Sequence, residues 1–373
     1  MTSRAIYLRF VFVIFSLKLA KAQLVPALFV FGDSLVDVGN NNYLTFTIAK
    51  SNLPYHGVDF PTHKPTGRFS NGKNGADFLA EKLGLPSPPP YLSLVHNNVD
   101  DFTKGVSFAS AAAGILNTTS RYIYLPQFGG TDHNELSRFT ISMDEQVEYC
   151  VKVREVLVKK LGQRDAAKHI AESVFAIVIG SVDIGEYYNA RDASFKKQGS
   201  PQQLVDLLIL TITSQLKEIY NIGGRKFVMI GIGTIGCIPS ERVKIKDEAC
   251  NEVFNYWATK YNQGLQVVLQ KLESELENFQ YSYFNVYDFF LNIIEQPHSC
   301  GFKEVKAACC GLGHLNGEVA CFPFSNLCNY RTDHVFWDLY HPTEAATRII
   351  IDAAFDGAQH YSFPINIRGL VSN

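Results

Sequence analysis

Short, uninterrupted apolar runs alternate along the chain with longer stretches of helical periodicity. The runs fall at 27–31, 105–109, 173–179, 226–230 and 281–287, and the first, third and fourth end on Gly32, Gly180 and Gly231. Strands with no polar alternation are buried on both faces, as in a parallel sheet covered by helices. Between them, apolar positions at spacings of three and four predict helices over 74–83, 143–160, 202–220, 247–277 and 343–355, the last with Pro342 at its start. Strand–helix alternation of this kind predicts an α/β fold with a parallel five-stranded sheet. Ligands of such sheets bind beyond the carboxyl ends of the strands, which directs attention to the residues just after Phe31, Ala109, Ile179 and Ile230.

Composition agrees with a packed core. Of 373 residues, 46% are hydrophobic and 19% charged, which excludes a disordered chain. No linker, repeat or low-complexity tract divides the sequence, so 23–373 is expected to form one domain with long loops. The tract 85–90, rich in proline, is read as a stiff surface loop. Residues 1–22 carry Arg4 and Arg9, an apolar run over 10–15, and Ala20-Lys21-Ala22, the pattern of a secretory signal peptide cleaved before Gln23. The run is too short to span a bilayer, so no integral membrane segment is expected after cleavage. Losing four basic and no acidic residues takes the formal charge from −2 to −6, which gives no basic field for nucleic acid.

Secretion decides how the cysteines are read. Eight are present, five of them between 300 and 328, and none forms the paired C-x-x-C spacing of a zinc site. Disulfides are expected instead, with Cys237–Cys250 as a local bridge and the remaining connectivity open. Asn117-Thr118-Thr119 is a glycosylation sequon.

Candidate chemistry lies at the two ends of the mature chain. Phe31-Gly32-Asp33-Ser34-Leu35 places a serine on a sharp turn after the first strand, where its hydroxyl can stand at the sheet's edge near backbone N–H groups. Trp337-Asp338-Leu339-Tyr340-His341-Pro342 places Asp and His three apart, on one face of a helical turn. The carboxylate can fix the imidazole tautomer and leave the other ring nitrogen as a base. Gly231-Ile232-Gly233-Thr234-Ile235-Gly236 matches a dinucleotide fingerprint. Cys237-Ile238-Pro239 follows where a helix should open, and the motif comes after the fourth strand rather than the first, so no nicotinamide cofactor is expected.

Taken in order, these elements resemble the GDSL esterase/lipase family, in its large plant branch within the SGNH hydrolases. Gly32-Asp33-Ser34-Leu35 continues through Val36-Asp37-Val38-Gly39-Asn40-Asn41-Asn42. Gly67-Arg68-Phe69-Ser70-Asn71-Gly72, Gly105-Val106-Ser107-Phe108-Ala109-Ser110, Gly180-Ser181-Val182-Asp183, Ile235-Gly236-Cys237-Ile238-Pro239 and Asp338-Leu339-Tyr340-His341-Pro342 follow. The resemblance implies a flavodoxin-like α/β/α sandwich, a small-molecule or lipid ester as substrate, and no metal or organic cofactor. It implies Ser34 as nucleophile, His341 as general acid/base and Asp338 as its orienter. The chemistry would be ester hydrolysis through an acyl-enzyme, with acyl transfer to an alcohol or non-catalytic lipid or carbohydrate binding as alternatives.

Two positions depart from the family's pattern. Its third block reads G-x-N-D, the Asn donating to the oxyanion; here that position is Val182. Its second block has Gly-Gly after the serine; here it is Ala111-Ala112. The oxyanion hole is therefore expected from the amides of Ser34 and either Ala111 or Ala112, with Val182 a degenerate position. A slow esterase, or one with a replacement donor, is expected. Ser181 is adjacent but, as a strand neighbour of Val182, would point to the opposite face.

Overall fold

The computed structural model describes residues 23–97, 99, 101–120, 139–189 and 199–372. The leader at 1–22 lies outside the described residues. All five predicted runs are strands: β1 (Leu28–Gly32), β2 (Gly105–Ser107), β3 (Val174–Val178), β4 (Lys226–Ile230) and β5 (Gln280–Phe284). They pair in parallel, in the order β5-β4-β3-β1-β2. A sixth strand, β6 (Ser362–Pro364), was not anticipated and pairs antiparallel on the outer edge of β5. Three residues, one of them proline, carry no periodic signal, and an edge is where a sheet tolerates proline.

Side chains alternate across the sheet into two cores. Phe29, Phe31, Phe175, Ile177, Phe227 and Met229 face one layer of helices, while Leu28, Val30, Val174, Ala176, Val228 and Ile230 face the other. The first layer holds α2 (Met143–Leu161), α4 (Pro201–Ile222) and α5 (Glu252–Glu275); the second holds α1 (Gly75–Leu83), α6 (Val286–Glu295) and α7 (Glu344–Asp356). The three layers explain why the strands read as unbroken apolar runs. Side chains set the helix starts. Asn74 and Ser142 form capping boxes at α1 and α2, and Thr343 caps α7 by accepting from the Ala346 amide. Pro342 thus precedes the cap. The run at 281–287 stops at Phe284 because Asn285 caps α6. The proline tract does more than cover surface: the Pro89 carbonyl accepts from Ser107 N–H on the outer edge of β2, at 2.9 Å.

Cys237–Cys250 is bridged, joining the turn after β4 to the start of α5. Cys309–Cys328 and Cys310–Cys321 staple the segment before the Asp338 turn, and Cys150 and Cys300 are unbridged. Gly236 opens no dinucleotide-binding helix. It sits in a three-residue 3-10 turn, Ile235–Cys237, with its amide on Asn255 Oδ1 at 2.9 Å. No helix among the described residues is long and apolar enough to cross a membrane.

Candidate active site

The end of β1 is held from three sides. Gly32 has φ of 151°, and a Cβ there would lie 2.2 Å from the Val178 carbonyl oxygen, so the close approach of β1 to β3 requires glycine. Buried Gln146 of α2 clamps the same residue, accepting from Gly32 N–H at 2.8 Å and donating to its carbonyl at 2.9 Å. The Ser110 amide also donates to that carbonyl. The turn that follows is organised by Asp33. Its amide donates to Val178, its carbonyl accepts from Val36 and Asp37, and its Oδ1 accepts from Leu35 N–H. Burial pushes the Asp33 carboxyl up from its ordinary value against these hydrogen bonds. Ser34 is left at the crest of the turn, half-buried, and its amide makes no hydrogen bond among the described residues.

Asp338 and His341 meet Ser34 from the opposite end of the chain. They lie in a tight turn rather than on a helix, closed by Trp337 N–H donating to the His341 carbonyl at 2.7 Å. His341 Nε2 stands 2.7 Å from Ser34 Oγ, and His341 Nδ1 stands 2.7 Å from Asp338 Oδ1. The amides of Tyr340 and His341 both donate to the same carboxylate oxygen at 3.0 Å. Burial alone would push Asp338 up, but the charge and hydrogen bond of His341, with His56 behind, hold it well below the usual carboxylate range. Phe69 packs on the imidazole with ring centroids 4.9 Å apart. Asn71, on the same segment, accepts from the Glu344 amide and so ties it to the start of α7. Arg68 makes a bidentate, buried pair with Asp77 of α1.

These groups open onto a cavity of about 1740 Å³, whose lining includes Ser34, Ala112, Val182, Ile232, Leu339 and His341. Val182 is the second residue of α3 (Ser181–Asn189), a helix that was not expected where Ser181 and Val182 read as strand neighbours. Ser181 is therefore not turned away from the site. Its hydroxyl donates to Asp33 Oδ2 at 2.8 Å, so its one proton is already committed.

The two alanines differ. The Ala111 amide donates to Asp37 Oδ2 at 3.0 Å, and Asp37, buried and pushed up to about 6, also accepts from the Gly39 and Asn40 amides. The Ala112 amide makes no hydrogen bond among the described residues, and Ala112 holds the left-handed conformation with φ of 65°. Ala112→Gly is expected to raise stability by about 1 kcal/mol, because a Cβ disfavours this conformation. Chemical denaturation of the two proteins measures the gain.

Asp183 is buried and pushed up to about 6, chiefly by desolvation. It accepts from the Ile115 and Leu116 amides and the Thr119 hydroxyl, and so fastens α3 to the 111–119 loop. Asn117 is exposed. Among the described residues, no group of three or more His, Cys, Asp or Glu is arranged to hold a metal ion.

Sequence reasoning missed Gln146, His56 and the work done by Asp33. Their partners are remote in sequence, and no local pattern announces them.

Comparison with known proteins adds an independent line. A family model described as GDSL-like lipase/acylhydrolase matches residues 28–354. A GDSL esterase/lipase of Arabidopsis thaliana is 43% identical over 360 residues, covering 94% of this chain and 91% of the relative. GDSL esterase/lipase 7 of the same plant is 37% identical over 352 residues, covering 92% and 91%. A shared motif could be chance, but agreement along nearly the whole length, around a serine turn and a histidine turn that meet in space, means that this chain belongs to the GDSL lipase/acylhydrolase family.

Proposed function

We infer that the protein is a secreted serine ester hydrolase that works through Ser34, His341 and Asp338. The observation that carries this reading is the unbroken relay from Ser34 Oγ through both nitrogens of His341 to Asp338, at 2.7 Å and 2.7 Å. As Ser34 Oγ attacks the ester carbonyl, His341 Nε2 takes the serine proton. The tetrahedral oxyanion is held by the amides of Ser34 and Ala112. Collapse releases the alcohol, which leaves with the proton from His341, and Ser34 stays acylated. Water then attacks and gives a proton to His341, the bond from Ser34 Oγ to the acyl carbon breaks, the acid leaves, and His341 returns the proton to Ser34 Oγ. Asp338, held ionised, orients the imidazole and stabilises its charged form.

The Val182 side chain offers no hydrogen-bond donor, so the third, side-chain contact to the oxyanion is missing and turnover is slow. The mostly apolar lining suits an ester with an apolar acyl chain. The three disulfides support an oxidising destination, in keeping with a leader at 1–22, a single domain over 23–373 and a glycan at exposed Asn117.

Fluorophosphonate labelling with peptide mapping tests nucleophile activation without knowledge of the substrate. The expected adduct is on Ser34, and His341→Ala abolishes it. An unlabelled protein, or an adduct at another serine, overturns the reading.

A further inference from the structure

Asp338 uses its two oxygens unevenly. Oδ1 takes three donors: the His341 ring at 2.7 Å and the amides of Tyr340 and His341 at 3.0 Å. Oδ2 has none of these. The group that faces it is buried His56, whose Nε2 stands 3.8 Å away. That separation is ion-pair range and longer than a hydrogen bond. A ring shift of about 1 Å closes it, and catalytic hydrogen bonds that are long in the free enzyme tighten when substrate binds. The other nitrogen, Nδ1, lies 3.2 Å from the Leu53 carbonyl. Phe69 and Trp337 meet the imidazole edge-on, each at 75°, so aromatic walls set its orientation.

A carbonyl oxygen and a carboxylate oxygen both accept, so the imidazole is the donor to whichever of them it serves. We propose, on the footing of the hydrolase reading above, that His56 is a positioning residue for the triad: its Nε2–H donates to Asp338 Oδ2 and fixes the carboxylate plane against His341 Nδ1, which keeps the imidazole of His341 aligned for the proton it takes from Ser34.

Asp33 faces His341 from the serine turn, and the Tyr340 phenol faces Asp338. On the segment that carries His56, Asp59 is paired with Arg331 and Arg68 with Asp77.

The test is kcat and KM on a short p-nitrophenyl ester for wild type, His56→Phe and His56→Gln. Phenylalanine keeps a ring between the aromatic walls and removes both nitrogens. Glutamine keeps a donor near the Nε2 position. His56→Phe is expected to lower kcat by about tenfold, the worth of one charge-assisted hydrogen bond to the carboxylate, with KM changed by less than about twofold. His56→Gln is expected to recover most of that loss.

An unchanged kcat in His56→Phe, or an equal loss in His56→Gln, overturns the proposal. Ser34→Ala separates the two levels. A rate that survives in Ser34→Ala removes the triad reading and the role of His56 with it. Unaffected His56 variants on a Ser34-dependent reaction remove the role of His56 alone.

Discussion

Ser34→Ala is expected to lower kcat on a short p-nitrophenyl ester by about 10⁴-fold or more, with KM near the wild-type value. In a comparable serine hydrolase the loss reaches about 10⁶-fold, and what remains comes from oxyanion donors and binding. On the proposed reading the wild-type rate starts lower, because the side-chain donor is absent at Val182, so the expected fall lies toward the smaller figure. Stability should hold within about 0.5 kcal/mol, since the hydrogen bonds that shape the turn belong to Asp33, Gly32 and Gln146 rather than to the serine hydroxyl. Kinetics and a thermal melt on one preparation check both halves. A variant that keeps its rate would place the nucleophile elsewhere.

Val182→Asn carries the second large effect, and its sign is a gain. The polar groups near the missing side-chain donor are already committed or too few. The Ser181 hydroxyl is on Asp33, the Ala111 amide is on Asp37, and the amides of Ser34 and Ala112 are two donors where the family's pattern has a third. An asparagine at 182, in the first turn of α3 and on the cavity wall, adds that third donor. Removing such a donor costs about 10²–10³ in kcat in a comparable enzyme, so supplying it is expected to raise kcat by about 10². KM should stay nearly constant, because the contact forms as charge develops on the oxygen. Steady-state kinetics on the same ester reads the result. A rise in affinity alone, or no rise, would mean that the oxyanion is held by another group.

The legibility of this protein divides by range along the chain. β1 and β3 could be read because each is an unbroken apolar run that ends on glycine, and the parallel pairing follows from burial on both faces. α3 could not: Gly180-Ser181-Val182-Asp183 follows directly on an apolar strand, and Gly185 with two tyrosines weakens helical periodicity, so Ser181 and Val182 were read as strand neighbours. The proposed triad could be read because each half is a short motif with its own chemistry. The supports were not. Gln146 reaches Gly32 across 114 residues, and the Ala111 amide reaches Asp37 across 74. Only folding decides that Ala111 is committed and Ala112 is not. His56 sits in a segment whose pattern suggests nothing beyond a loop, and its place behind Asp338 exists only in three dimensions.

The proposed nucleophile and its base are separated by 307 residues. A ribosome adds about 5–20 residues per second, so the growing polypeptide carries Ser34 for roughly 15–60 s before His341 has even been made. Throughout that interval the serine is an ordinary alcohol. On the proposed reading, reactivity arrives only once the histidine turn near the end of the chain has been made, which protects esters along the route of synthesis from an unfinished enzyme.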